Sequence, residues 1–289
     1  MQDNGLLFTS ANCWNESGEL RLDKKSLTDF EFRNFRTCSC RDKNTKQKYF
    51  VKHCSPEERT AEVLLSQIYA KHGFTTAIAL PADQNRIITN DIVEKQNGEL
   101  VYDFFVRKAL QEKDRFSPKA IKKILDGSCD VVDLKHASIP RWEELFTKEA
   151  LASRFRWDAF TIASANGDDH LGNAVVYKNQ HDIAEDIGHY DYGYAGANVR
   201  KFSTMEYLAF YDDLLETDRI SFLRSLAQNE QITKYINPKE VAEELGRVDV
   251  LATATDITQT IGFTPRQSVV DGLARSFEQT AEDLLNLSK

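Results

Sequence analysis

Residues 173–193, NAVVYKNQHDIAEDIGHYDYG, read as one β-hairpin inside a stretch of chain that otherwise carries helical periodicity. Pairing of strands over 174–178 and 183–190 brings the residue before the first strand and the residues after the second to the same end. The run NGDDHLGN (166–173) enters this hairpin and the run HYDYG (189–193) leaves it. Asp168, Asn173 and Asp191 therefore converge, three oxygen-bearing side chains drawn from two loops.

The remaining elements fall into two groups. Upstream, DFEFRNFRTCSCRDKNTKQKYFVKHC (29–54) alternates around the polar turn DKNTK and predicts strand, turn, strand, with KYFVKH the aromatic and β-branched second strand. SPEERTAEVLLSQIYAKHG (55–73) predicts a helix: Ser55 caps it, Pro56 takes the first helical position, Glu57 and Glu58 fill the first turn and Gly73 ends it. Ala61, Leu64, Leu65 and Ile68 fall at helical spacing. RIITNDIVE (86–94) predicts a further strand leading out of a small sheet. From about residue 101, helices are expected near 102–113, 117–127, 141–165, 203–216 and 219–229, and then from NPKEVAEEL and from TPRQSVVDGLARSFEQTAEDLLNL. In the last of these, Val269, Val270, Leu273, Phe277, Leu284 and Leu285 trace one apolar face. The pattern is α+β and bilobal. A small sheet-plus-helix lobe runs to about residue 95, and a larger helical lobe with the hairpin runs from about 101 to 289, in a single domain.

Charge and composition narrow the function classes. The net charge is −8, with fifteen acidic against eight basic residues in 205–289, and no long basic stripe suits general nucleic-acid binding. No run approaches the ~18 apolar residues of a membrane span, and the first residues lack the basic start and apolar core of a secretory signal. Five scattered cysteines suggest neither a disulfide framework nor a zinc site, so a reducing cytoplasm is the expected home.

A carboxylate and a carboxamide facing one another suit Mg²⁺, a hard cation that takes oxygen ligands and shares phosphate oxygens with a substrate. A second carboxylate nearby can orient or deprotonate an attacking hydroxyl. Those are the parts of phosphoryl transfer, in which positioning and charge neutralisation do most of the catalysis.

GDDHLGN followed by HYDYG resembles the catalytic and metal-binding loops of the protein-kinase-like fold, in its atypical branch of phosphoinositide 3- and 4-kinases, their protein-kinase relatives and HipA-type bacterial kinases. The resemblance implies ATP with Mg²⁺ or Mn²⁺ as cofactors. It implies Asp168 as the catalytic aspartate, His170 as an aid to proton transfer, and Asn173 and Asp191 as metal ligands. Lys52, on YFVKH, matches the lysine that holds the nucleotide phosphates, and Glu62, on the following helix, matches its ion-pair partner. Thr89, Asn90, Asp91, Ile92 and Val93 match the hinge that meets adenine.

Three departures from that pattern stand out. Asp169 replaces the usual arginine, Tyr192 replaces the phenylalanine after the metal-binding aspartate, and RNFRTCSCR (33–41) has no glycine where a phosphate-covering loop is expected. The expected activity is Ser/Thr protein phosphorylation. The alternatives are an inositol lipid or inositol phosphate kinase, and a nucleotide-binding pseudokinase scaffold. Lys119, Lys122 and Lys123 on one predicted helix, with Arg200 and Lys201 after the metal loop, read either as a solvated basic face or as a contact for an inositol polyphosphate or phosphoinositide. His181 and His189 fall on the hairpin without an assigned role. A compact chain of this kind would suit a bacterial kinase, including one delivered into a host cell without a cleavable signal peptide.

Overall fold

A computed structural model describes residues 37–41, 47–82, 85–95, 98–111, 122, 142–166, 173–192 and 219–289 of the 289-residue chain. Strands β1 (Thr37–Arg41) and β2 (Lys48–His53) pair antiparallel, as the alternating segments predict. Tyr49 and Val51 are buried on one face of β2, which leaves Lys48, Phe50 and Lys52 on the other.

The helix α1 (Pro56–Lys71) begins in a capping box. The Ser55 hydroxyl accepts from the Glu58 N–H at 3.1 Å, and the Glu58 carboxylate accepts from the Ser55 N–H at 2.6 Å. Ala61, Leu64, Leu65 and Ile68 are all buried, and Gly73 follows the helix at φ 78°, the left-handed conformation that a side chain resists.

Two four-stranded sheets form among the described residues, where the sequence suggests one small sheet and a separate hairpin. The first has the order β1-β2-β5-β4, with β4 at Ala79–Pro81 and β5 at Arg86–Asn90. The second is built round the hairpin β7 (Ala174–Lys178) and β8 (Ala184–His189), with β3 (Thr75–Thr76) parallel to β8 and β6 (Glu99–Leu100) antiparallel to β7. The expected strand 86–94 stops at Asn90. Asp91 then accepts the Val93 N–H at 2.8 Å and starts the short helix α2 (Ile92–Lys95).

Helix α3 (Val101–Gln111) follows β6, and the helix expected over 141–165 is two helices. Phe146 bridges to Ala184 after α4 (Trp142–Leu145). The extended Thr147 then caps α5 (Lys148–Ala163) by accepting the Ala150 N–H at 3.2 Å. The α5 helix is buried nearly all round and so shows no apolar stripe in sequence.

At the C-terminal end, α6 (Arg219–Gln228), α8 (Pro238–Gly246) and α10 (Gln267–Leu287) pack against α5, while α7 (Glu230–Thr233) packs on α6 and α9 (Val250–Ile261) on α1 and α10. Helix α10 buries Val269, Val270, Leu273, Phe277 and Leu284, but Leu285 is 40% exposed. Thr280 and Ala281 complete the inner face instead, being the positions that keep helical spacing between Phe277 and Leu284. One hydrophobic cluster runs from α1 through α5 to α10, with Tyr69, Phe74, Trp157, Phe160 and Tyr192 as its aromatic centre. The architecture is the bilobal α+β one expected: a small sheet with one helix over a larger helical lobe that carries the hairpin. No described helix is long and apolar enough to cross a membrane. The helices expected at 117–127 and 203–216 lie outside the described residues, except that Lys122 is helical and exposed.

Candidate active site

Lys52 lies between two carboxylates. Its Nζ donates to Glu62 Oε1 at 2.9 Å and to Asp191 Oδ1 at 2.5 Å. The register of β2 puts Lys52 on the open face of its sheet, α1 presents Glu62 from behind, and β8 delivers Asp191 from the other sheet. Burial works against the Lys52 charge, but Glu62 and Asp191 outweigh it and hold the ammonium pKa above the ordinary lysine range. Burial also pushes the Glu62 carboxyl up. Lys52 opposes that shift, the Asp191 charge reinforces it, and a hydrogen bond from the Tyr192 N–H opposes it again. The triad is thus one lysine shared by a buried carboxylate and a half-exposed one. Cys54 stands close by, but burial raises its thiol to about 12, too high for a nucleophilic thiolate.

Asp191 holds φ 66°, a left-handed conformation that few non-glycine residues adopt. The neighbours on either side fix it there. Tyr192 is buried at 1% exposure, packs edge-on to Tyr69, and donates its hydroxyl to the His189 carbonyl at 3.1 Å. Its hydroxyl also meets that of Thr76. His189 stacks on Trp157. Tyr192 is thus buried and moored beside Asp191, and His189, expected on the hairpin without a role, is a buried part of that mooring.

The hairpin brings the two loop ends together as expected. Ala174 pairs with His189, and the Tyr190 N–H donates to the Asn173 carbonyl at 3.1 Å, so Asn173 and Asp191 share one end of the sheet. At the other end, the Asn179 side chain accepts the N–H groups of His181 and Ile183, with Asp182 at φ 60°. Carboxylate and carboxamide are both oxygen donors, a set that fits a hard divalent cation. Asp168 and His170, expected to complete the site, lie outside the described residues, as do Lys119, Lys123, Arg200 and Lys201 of the expected basic cluster.

Lys52, Glu62 and Asp191 line a cleft of about 750 Å³ together with residues of both sheets. The volume lies in the range that takes a drug-sized ligand. Phe50 and Ile87 line it on one side, and Leu100 and Tyr190 line it too, with Thr89, Asn90, Asp91, Ile92 and Val93 along the connection between the sheets. Asp91 is 4% exposed. Its N–H donates to the Lys48 carbonyl at 3.0 Å, and its carboxylate pairs with Lys48 Nζ at 3.2 Å. Asn90 accepts the Ile78 N–H at 2.7 Å, and the Tyr177 hydroxyl donates to the Ile92 carbonyl at 3.1 Å. The connection is thereby pinned from both sheets. Gly98 closes it, because a Cβ there would meet Val175 Cγ1 at 2.4 Å.

Sequence reasoning did not single out Phe50 or Tyr190. Both carried a signal: Phe50 shares the face of Lys52 by strand alternation, and Tyr190 immediately precedes Asp191. Burial raises the Tyr190 phenol to about 12, which keeps the group neutral in the cleft wall.

No protein-family model matches this chain, and no curated protein matches it by sequence. Among solved structures, it is similar to the crystal structure of the Helicobacter pylori proinflammatory kinase CtkA. The two share 13% identity over 90% of this chain and 92% of that one, with a TM-score of 0.44.

Proposed function

We propose that this chain is a kinase-like phosphotransferase of one domain, which moves the γ-phosphate of ATP to a hydroxyl. The observation that carries the reading is the shared lysine: Lys52 bridges Glu62 and Asp191 in a cleft that Phe50, Ile87, Leu100 and Tyr190 also line. A lysine held charged in this way is placed to grip nucleotide phosphates, and Glu62 fixes its ammonium without competing for solvent. The strand-to-helix connection at Thr89–Val93 would face the base, with Phe50, Leu100 and Tyr190 covering its rings.

Mg²⁺ or Mn²⁺, held by Asp191 and Asn173, would supply charge neutralisation on the transferred phosphate. Asp168 would orient the acceptor hydroxyl, and His170 would assist its proton. The acceptor we favour is Ser or Thr in a protein, met in the cytoplasm. The net charge of −8 disfavours an anionic membrane surface as the working environment and gives no support to nucleic acid as a partner. Lys119, Lys122, Lys123, Arg200 and Lys201 remain a candidate contact for an inositol polyphosphate.

One observation favours a second reading. The segment 33–41 lacks glycine, so the loop that would cover the phosphates must approach them with side chains in the way, as suits a scaffold that binds nucleotide without transferring it.

The test uses γ-labelled ATP with Mg²⁺ or Mn²⁺ and offers wild type and Asp191→Asn to protein substrates, a cell lysate and phosphoinositide vesicles. Label on protein from wild type alone supports a protein kinase, and label on lipid transfers the activity to the inositol reading. Metal-dependent ATP binding without label anywhere supports the scaffold. Absence of metal-dependent ATP binding overturns all three.

A further inference from the structure

Glu62 faces Lys52 from one side of α1, while the other side of that helix is gripped at both ends by the C-terminal helices. Two positions along a helix turn the side chain by about 200°, so Thr60 points away from the Lys52 pair. Thr60 Oγ1, on a residue only 1% exposed, accepts the Arg266 N–H at 3.1 Å. The Arg266 guanidinium pairs with Glu57, and that of Arg59 lies 5.0 Å over the Phe263 ring. At the far end, Lys71 donates to Asp256 at 2.8 Å and to Thr253 at 3.4 Å. His72 and Arg156 there converge on Glu244. The gripping residues come from α8, α9 and the turn between α9 and α10.

We propose that the segment from α8 to the start of α10 is a built-in positioning element for Glu62. It holds α1 against the sheet, so that the pairing of Lys52 with Glu62 and Asp191 is set by the chain itself and needs no separate activating partner. Arg266 is its main positioning residue and acts through Thr60. The catalytic meaning of this grip rests on the phosphotransfer reading. The grip itself is a property of the chain without nucleotide.

Arg266 sits at φ −66°, so proline fits the backbone there. Arg266→Pro removes the N–H given to Thr60 and the guanidinium given to Glu57 together, whereas Arg266→Lys keeps an N–H and a cation. The measurement is acylation of Lys52 by an amine-reactive ester on the full chain without nucleotide, read by mass spectrometry against the exposed Lys239. Arg266→Pro should raise Lys52 labelling several-fold and Arg266→Lys should leave it unchanged. Thr60→Val should reproduce the rise from the partner side, which guards against a defect specific to proline. In a Glu62→Gln background Arg266→Pro should add nothing, because the pairing it acts on is already gone.

Unchanged Lys52 labelling in both Arg266→Pro and Thr60→Val overturns the proposal. A rise spread over all lysines overturns it too, since that marks general loosening. Mg²⁺·ATP affinity, measured alongside, separates the two readings. Altered labelling in a chain that never binds nucleotide keeps the grip and discards phosphotransfer. Firm nucleotide binding with unaltered labelling does the reverse.

Discussion

The imidazole of His189 lies flat on the indole of Trp157, with ring centroids 3.6 Å apart and planes 7° from parallel. Trp157 comes from the middle of α5 and His189 ends β8, two residues before Asp191. The stack therefore ties the acidic end of the cleft to the centre of the helical lobe. Trp157 also meets Tyr69 and Phe74. Trp157→Ala should cost roughly 3–5 kcal/mol of stability, as truncation of a buried aromatic does, and Trp157→Phe clearly less. Urea unfolding of the three proteins measures both differences.

Lys52→Met leaves two carboxylates facing each other without their cation. Breaking a buried pair from one side costs about 3–5 kcal/mol. The loss should depend on pH with a definite sign. The Glu62 carboxyl is raised in the folded state, so the fold takes up a proton there that the unfolded chain releases. The destabilisation should therefore shrink as the pH falls and the neutral Glu62 ceases to repel Asp191. Equal losses at mildly acidic and alkaline pH would contradict this.

Glu244 gives the opposite slope. Burial alone would raise its carboxyl, but hydrogen bonds from His72 and Arg156 outweigh burial and hold it at about 2. The unfolded value is about 4.3. The lowered pKa contributes stability that is fully present above the unfolded value and is lost as the pH falls through the folded one. Glu244→Gln should match wild type near pH 2 and fall progressively below it as the pH rises to about 4.3, above which the gap stays constant in a thermal-denaturation series.

Tyr192→Phe removes one hydroxyl from two hydrogen bonds, to the His189 carbonyl and to Thr76. The carbonyl retains the Ala77 N–H as a donor at 3.1 Å, so it is not left bare. The cost should lie toward the lower end of the roughly 0.5–1.5 kcal/mol of a typical hydrogen bond. Thermal unfolding tests this, and a loss far above that range would mean that the hydroxyl fixes Asp191 as well.

Gly98→Ala should be more disruptive than its exposure suggests. The added methyl would meet Val175 and Tyr177 side chains and the Val93 backbone, so β6 must move away from β7. Overpacking of this sort costs about 1–3 kcal/mol. Denaturant midpoints for Gly98→Ala and an uncrowded control, Gly272→Ala, make the comparison, since nothing lies within 4 Å of a Cβ at Gly272.

Local chemistry was legible in the sequence where it acts over a few residues. The Ser55 capping box, the limits of α1 and the hairpin were all readable, and the ten-residue spacing of Lys52 and Glu62 follows from a strand running directly into a helix. The meeting of Lys52 with Asp191 spans 139 residues; the motif resemblance put both in one site but did not foresee their contact. Helix α9 went unseen because VLATATDITQTI is rich in β-branched residues, which favour strands, although Asp249 and Gly262 mark its ends. Strands β3 and β6 have two residues each, too few for any periodicity, and only their neighbours make them strands. The split between α4 and α5 rested on Thr147, a cap inside what reads as one continuous helical pattern.

The short strand β3 has a mechanical consequence. Among the described residues the chain crosses between the two sheets three times, through α1, at Ala77–Ile78 and between Asp91 and Gly98, and Asn90 ties the last two crossings together through the Ile78 N–H. Helix α1 is fastened on both sides: the Ser66 hydroxyl accepts the Ala79 N–H of β4 at 3.1 Å, and Lys71 holds Asp256 of α9 at 2.8 Å. Glu62 therefore stands on the strut that joins the sheet of Lys52 to the helical lobe, and its pairing with that lysine is braced from both directions at once.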